Sequence, residues 1–201
     1  MDKNTFNNLP LYTATLNDDD LGIYTISLVE WPAMEKRWEF FEKQKEPLKF
    51  SVVDAEQHRV VSPIIRCDYP ILRKNENGKF FYVTFPKETI YAAAERFLTI
   101  GAQGLVKLTH NEDAPFIDGF NLVQWYIKDT ARGISPVGFE DVADGSLFAE
   151  YYVTNEDVWK KVVDGTFNGL SMESEFFLKL QEPEEKEIDS IEALVDYLGI
   201  G

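Results

Sequence analysis

The sequence predicts an α+β fold. Several strand-like segments are accompanied by few helical ones, and the two kinds do not alternate regularly along the chain. A doubly wound parallel sheet needs that alternation, so the order favours a mostly antiparallel barrel or sandwich instead. With 201 residues, of which 44% are hydrophobic, the chain is long enough to bury a sizeable core.

The composition excludes several classes of function. A formal net charge of −15 argues against a nucleic-acid partner, because such binders present a basic surface. The single cysteine, Cys67, excludes an internal disulfide framework and is expected to be a buried small hydrophobe in a reducing compartment. The N-terminus does not resemble a signal peptide, and no apolar stretch approaches the ~20 residues that span a bilayer. We therefore expect a soluble, intracellular protein with no membrane partner.

The first part of the chain, residues 1–47, is interpreted as an N-terminal arm rather than as core. Residues 11–16 alternate weakly between apolar and polar, and residues 22–29 are typical of a short strand. A segment from Trp31 through Phe41 is then predicted to form a short helix. A polar break precedes the next part of the chain.

Residues 48–181 are predicted to be the core domain. Its strand-like segments are residues 50–53, 60–65, 80–85, 105–108, 122–128 and 146–153. One helix is expected to begin near Pro86 and to end at Gly101, because apolar residues recur there with helical spacing. A second helix is expected to begin at Thr154 or Asn155, either of which can cap free amide groups, and to end at Gly165.

The last part, residues 182–201, is predicted to be an acidic linker followed by a short helix that Asp189 caps. That helix carries apolar residues but is too short to be stable alone. We expect it to pack either on its own domain or on a neighbouring copy, which would make the chain a homo-oligomer.

The chemistry is expected to centre on a strand that follows the second helix and a glycine-containing turn. Its side chains alternate between two faces. The apolar face carries Leu170, Met172 and Phe176, and the polar face carries Ser171, Glu173 and Glu175. Gly169 at the strand entry allows another backbone or a ligand to approach closely.

The pattern of residues favours a serine nucleophile over a metal or cofactor site. No His, Cys, Asp and Glu set has metal-ligand spacing, and phosphate-binding and dinucleotide-binding loops are missing from the sequence, so no cofactor is expected. Ser171 would need an imidazole to take its proton. His58 lies in a polar turn and is expected to be an exposed loop residue, whereas His110 closes an apolar strand and opens an acidic loop.

A third group would have to orient that imidazole. Glu173 shares the strand face of Ser171, about 6.5–7 Å further along, which leaves room for a ring between them. Asp129 and Glu175 are rivals for this role. Arg132 and Gly133 are candidates for contacts to an oxyanion.

Five segments, in this order along the chain, give the sequence a family resemblance. They are ISLVEWPAM at residues 26–34, the strand and helix over residues 81–90 with His110 after them, residues 122–129, PVG at residues 136–138, and NEDVW at residues 155–159 followed by GLSME at residues 169–173. In this pattern the chain resembles the phage prohead proteases, in particular the XkdF-like serine proteases, distant relatives of the herpesvirus assemblins.

The resemblance implies a small β-barrel flanked by helices, with His110 as general base and Ser171 as nucleophile. It implies a serine endopeptidase that cleaves phage scaffold and major capsid proteins inside the procapsid, in the host cytoplasm, during capsid maturation. One departure bears on activity, since the family often has glutamate where this chain has Gln124. A catalytically inactive structural or scaffolding protein with the same fold is therefore the alternative expectation.

Overall fold

The structure, a computed structural model, describes residues 5–6, 9–29, 51–75, 77–108 and 113–181. Over these residues the chain is α+β, which confirms the predicted class. The strands, in chain order, are β1 (Thr5–Phe6), β2 (Leu9–Thr15), β3 (Gly22–Val29), β4 (Ser51–Asp54), β5 (Arg59–Ile65), β6 (Ile71–Lys74), β7 (Phe80–Thr84), β8 (Val106–Lys107), β9 (Phe120–Ile127), β10 (Leu147–Val153), β11 (Gly169–Glu175) and β12 (Phe177–Leu180). The α-helices are α1 (Lys87–Thr99) and α2 (Glu156–Val163).

The strands of the described residues form three sheets. The first has the order β1-β2-β7-β6, with β12 also paired to β2; the second has the order β4-β5-β10-β9; the third has the order β11-β3-β8. Most neighbours are antiparallel, whereas β2–β7 and β3–β8 run parallel. Within the described ranges these ladders do not close into a barrel.

The two helices begin and end where the sequence predicts. Pro86 precedes α1 with φ −70°, and a proline suits a helix start because its missing N–H would have no partner there. Asn155 caps α2, since its side-chain oxygen accepts hydrogen bonds from the amides of Asp157 and Val158, both at 3.1 Å. Gly165, with φ 79°, follows α2 in the left-handed conformation that favours glycine.

Two strands of the predicted arm, β2 and β3, contribute buried residues to the core. Ile23, Ile26 and Leu28 of β3 are fully buried, and β3 is the central strand of the third sheet. This segment is buried on both faces, so it cannot be an appendage, and the boundary at residue 47 does not separate an arm from a core. The helix predicted from Trp31, like the linker and helix predicted over residues 182–201, lies outside the described residues.

A buried lysine forms hydrogen bonds with the backbone of the loop between β9 and β10. Lys128 is 2% exposed, and its Nζ donates to the carbonyl oxygens of Phe139, Glu140 and Val142 at 2.8, 3.0 and 2.6 Å. Phe139 and Val142 pack with Phe148 in a small second core. None of the helices in the described ranges has the length and apolar character needed to cross a bilayer.

Candidate active site

The strand predicted to carry the chemistry is present as β11. Leu170, on its apolar face, is buried in the main core, and Met172 packs against that core. Ser171 and Glu173 therefore point to the opposite face, as the alternation of side chains predicts. A register shift follows Glu173, and Glu175 beyond it is exposed.

The neighbouring strands make this face polar across the whole third sheet. Ser27 of β3 lies directly opposite Ser171 in the antiparallel ladder with β11. On its other side, Ser27 pairs with Lys107 in the parallel ladder with β8. Thr25 lies opposite Glu173. We call these five residues, Thr25, Ser27, Lys107, Ser171 and Glu173, the polar face of the third sheet.

The polar face is withdrawn from solvent. Thr25, Ser27, Lys107 and Ser171 are 3%, 0%, 8% and 6% exposed. Polar groups lose their hydration on burial and must be compensated by hydrogen bonds or ion pairs. In a buried polar cluster, polar residues occupy positions that apolar residues could fill more favourably. Such exceptions to local packing rules are typical of functional sites.

Glu173 is the centre of the contacts on this face. Its Oε1 accepts a hydrogen bond from the Ser27 hydroxyl at 3.1 Å, and its Oε2 lies 3.6 Å from the Lys107 Nζ. The side chains of Lys107 and Glu173 are only 10% and 13% exposed, so water screens this ion pair weakly. The Lys107 Nζ also lies 5.4 Å from the ring centroid of Phe116.

The Ser171 hydroxyl forms no hydrogen bond with any residue in the described ranges. No general base for Ser171 is therefore visible in the part of the chain that the structure describes. His110, the predicted base, lies outside the described residues, although Lys107 only three positions earlier has its side chain on the polar face. The pairing of His110 with Ser171 thus remains a prediction.

The rival groups have other roles in the structure. Asp129 caps a turn of 3-10 helix, where its Oδ1 accepts a hydrogen bond from the amide of Arg132 at 3.2 Å. Arg132 itself is exposed, and Gly133 ends that turn with φ 74°. Gln124 is an exposed residue of β9 and lies opposite Glu150 of the neighbouring strand.

His58 lies in a turn, as the sequence predicts, but its side chain is half-buried rather than exposed. Its ring stacks on Trp159 of α2 with centroids 4.4 Å apart, and its Nδ1 lies 3.2 Å from the Val153 carbonyl oxygen. His58 therefore helps to anchor α2 to the second sheet.

Lys107 and Ser27 are site residues that the sequence analysis did not select. Each is a single polar residue inside a short apolar segment, VKL for Lys107 and ISL for Ser27. A lone lysine within an apolar strand is an unusual residue to bury unless it is paired. The lysine could therefore have been selected from the sequence. Its partner Glu173 could not, because it belongs to a strand far along the chain.

Comparison of the chain with protein-family models, with curated proteins and with solved structures finds no match. In the described ranges, no group of three or more His, Cys, Asp and Glu residues is arranged to hold a metal ion.

Proposed function

We propose that this chain is a phage prohead serine endopeptidase that cleaves segments of scaffold and major capsid proteins during capsid maturation, within the procapsid in the host cytoplasm. The observation that carries the proposal is the polar face of the third sheet, on which Ser171 and Glu173 lie together on the side of β11 opposite Leu170 and Met172. The sequence resemblance supplies the class of substrate. The proposal includes the barrel that the resemblance implies, with the third sheet forming part of its wall.

The proposed reaction is acyl transfer. Ser171 Oγ bonds to the scissile carbonyl carbon while its proton passes to His110, and the carbon–nitrogen bond breaks as His110 returns that proton to the leaving amine. Water then hydrolyses the acyl ester by the same route. Glu173 is the acid proposed to orient the imidazole, because within the described part of the chain its carboxylate shares the polar face with Ser171.

The pair is tested with a peptide taken from the scaffold or capsid protein of the same phage. Ser171→Ala and His110→Ala should each abolish cleavage, and the double variant should lose no more than either single one, because residues that act as a unit are not additive. The rate should rise with pH through an imidazole-like midpoint, about 6.5 if the ring is unperturbed. Folded single variants that cleave at the wild-type rate would refute the proposal.

The choice of the acid is tested separately. Glu173→Gln should lower the rate more than Gln124→Ala, since Gln124 is exposed on another sheet. Both substitutions leave Ser171 in place, so the comparison isolates the acid. A larger loss of rate in the Gln124 variant than in the Glu173 variant would show that Glu173 is not the acid that orients the imidazole.

A second candidate is a structural or scaffolding protein of the capsid that has this fold without activity. Ser171 is 6% exposed, which limits the access of a peptide, and Glu173 already has a cationic partner in Lys107. For such a protein, Ser171→Ala would leave assembly of proheads unchanged. The proposed protease, by contrast, would leave uncleaved scaffold in the particles when Ser171 is replaced.

A further inference from the structure

We infer that Lys107 is a positioning residue for the Ser171 site, holding the Glu173 carboxylate in place across the sheet; this inference rests on the proposed function. The geometry of three strands leads to it. Neighbouring strands are about 4.8 Å apart, and β3 lies between β8 and β11. The backbones at Lys107 and Ser171 are therefore two strand spacings apart.

Lys107 nevertheless reaches β11. Its Nζ lies 3.6 Å from Glu173 Oε2, which requires the side chain to extend over β3, where Ser27 is fully buried. The other carboxylate oxygen accepts the hydrogen bond from Ser27. Each oxygen of Glu173 is therefore fixed by a different strand, and the carboxylate is not free to rotate.

Lys107 is not suited to be the general base itself. A lysine that takes a proton from serine must be neutral, and such lysines lie in apolar pockets or beside other cations. Lys107 instead lies beside a carboxylate, with its Nζ 3.6 Å from Glu173 Oε2. Its contribution is a fixed ammonium that orients Glu173 and offsets part of the negative charge.

This arrangement predicts how the pH profile changes when the ammonium is removed. The charged groups on this face include Lys107 and Glu173; β3 contributes the hydroxyls of Thr25 and Ser27, and Phe116 contributes a ring. In the proposed mechanism Glu173 orients His110, so removal of the ammonium would let the carboxylate stabilise the imidazolium more strongly. Since the base must be neutral to act, the rise of rate with pH should move to higher pH.

The test measures peptide cleavage, together with the rate at which a fluorophosphonate probe forms a phosphonyl ester on Ser171 with loss of fluoride. Lys107→Met should lower kcat by about 10- to 100-fold with little change in KM, because the site is then misaligned. Lys107→Arg should recover most of the rate. Lys160→Met, on an exposed face of α2, is the matched control and should behave as wild type.

A double variant keeps the test valid if Lys107→Met alone fails to fold. In a Glu173→Gln background, Lys107→Met leaves no unpaired carboxylate and should cause no further loss of rate, because Lys107 acts through Glu173. A full additional loss in that background would overturn the inference. The inference would also be overturned if the probe labels Ser171 of the wild type but the Lys107→Met variant cleaves the peptide at the wild-type rate. If the wild type is labelled no faster than Ser171→Ala, the proposed function itself fails, and the contact of Lys107 with Glu173 is only structural.

Discussion

Tyr151 has a hydroxyl that the core does not satisfy. Its side chain is fully buried and stacks on Phe120, and burial raises the pKa of the hydroxyl. Within the described residues, that oxygen has no hydrogen-bond partner. Tyr151→Phe should therefore increase the free energy of unfolding, by about 1 kcal/mol, because a desolvated and unpaired polar group is removed.

Urea denaturation of wild type and variant measures this difference, with Tyr152→Phe as control because Tyr152 is 41% exposed. A loss of stability in the Tyr151 variant would mean that the hydroxyl has a partner in solution.

Lys128 is the opposite case, a buried charge with every proton directed at an acceptor. Its three bonds tie the β9–β10 loop to the end of β9. Lys128→Met should lower the free energy of unfolding by about 2–4 kcal/mol, since three carbonyl oxygens lose a charged donor. Lys160→Met is the control, and the measurement is again urea denaturation. Equal midpoints for the two variants would contradict this account.

At the scale of single elements, α2 depends on its cap. Asn155→Ala removes the acceptor of two amide hydrogen bonds and should cost about 1 kcal/mol, whereas Asn155→Asp keeps an acceptor and adds a charge that suits a helix N-terminus. Thermal unfolding followed by circular dichroism compares the three proteins. If the alanine and aspartate variants melt together, the cap does not stabilise α2.

Elements with a strong local signal could be predicted from the sequence. Helical spacing and end signals identified α1 and α2, and apolar content identified β3. Three strands were missed, β1, β6 and β12. β6 is a four-residue edge strand that ends in Arg73 and Lys74, and β12 follows β11 after Phe176 but pairs in a different sheet. A period of two residues cannot reveal a change of sheet.

At the scale of the whole molecule, only part of the site could be predicted. Ser171 and Glu173 belong to one strand, so their shared face follows from alternation alone. Lys107 joins them only because β8 runs parallel to β3 with Ser27 as its partner. That register depends on how distant strands pack, and a single sequence does not specify it.

Cys67 lies at another contact between segments that are distant in the sequence. It bridges to Phe85 after β7, and its amide donates to the hydroxyl of Ser146, which precedes β10, so it lies where the first and second sheets meet. The thiol is 7% exposed, and burial, with the nearby Asp68 as a second cause, raises its pKa from 9.0 to about 11. Reaction with a disulfide reagent requires the thiolate. At pH 8 the folded protein should therefore react at least about 100-fold more slowly than the urea-unfolded chain, because a raised pKa leaves less thiolate and burial blocks access.

The native rate should also rise with pH up to about 11, the pKa of the folded thiol, whereas the unfolded chain should level off near 9. Val137→Cys in a Cys67→Ser background provides an exposed thiol as control, since Val137 is 83% exposed, and it should react rapidly without denaturant. A slow native reaction of Cys67 that accelerates together with loss of the circular dichroism signal would show that the two sheets separate only on global unfolding. If Cys67 reacts as rapidly as the control under native conditions, the junction between the sheets opens locally, and burial does not protect the thiol.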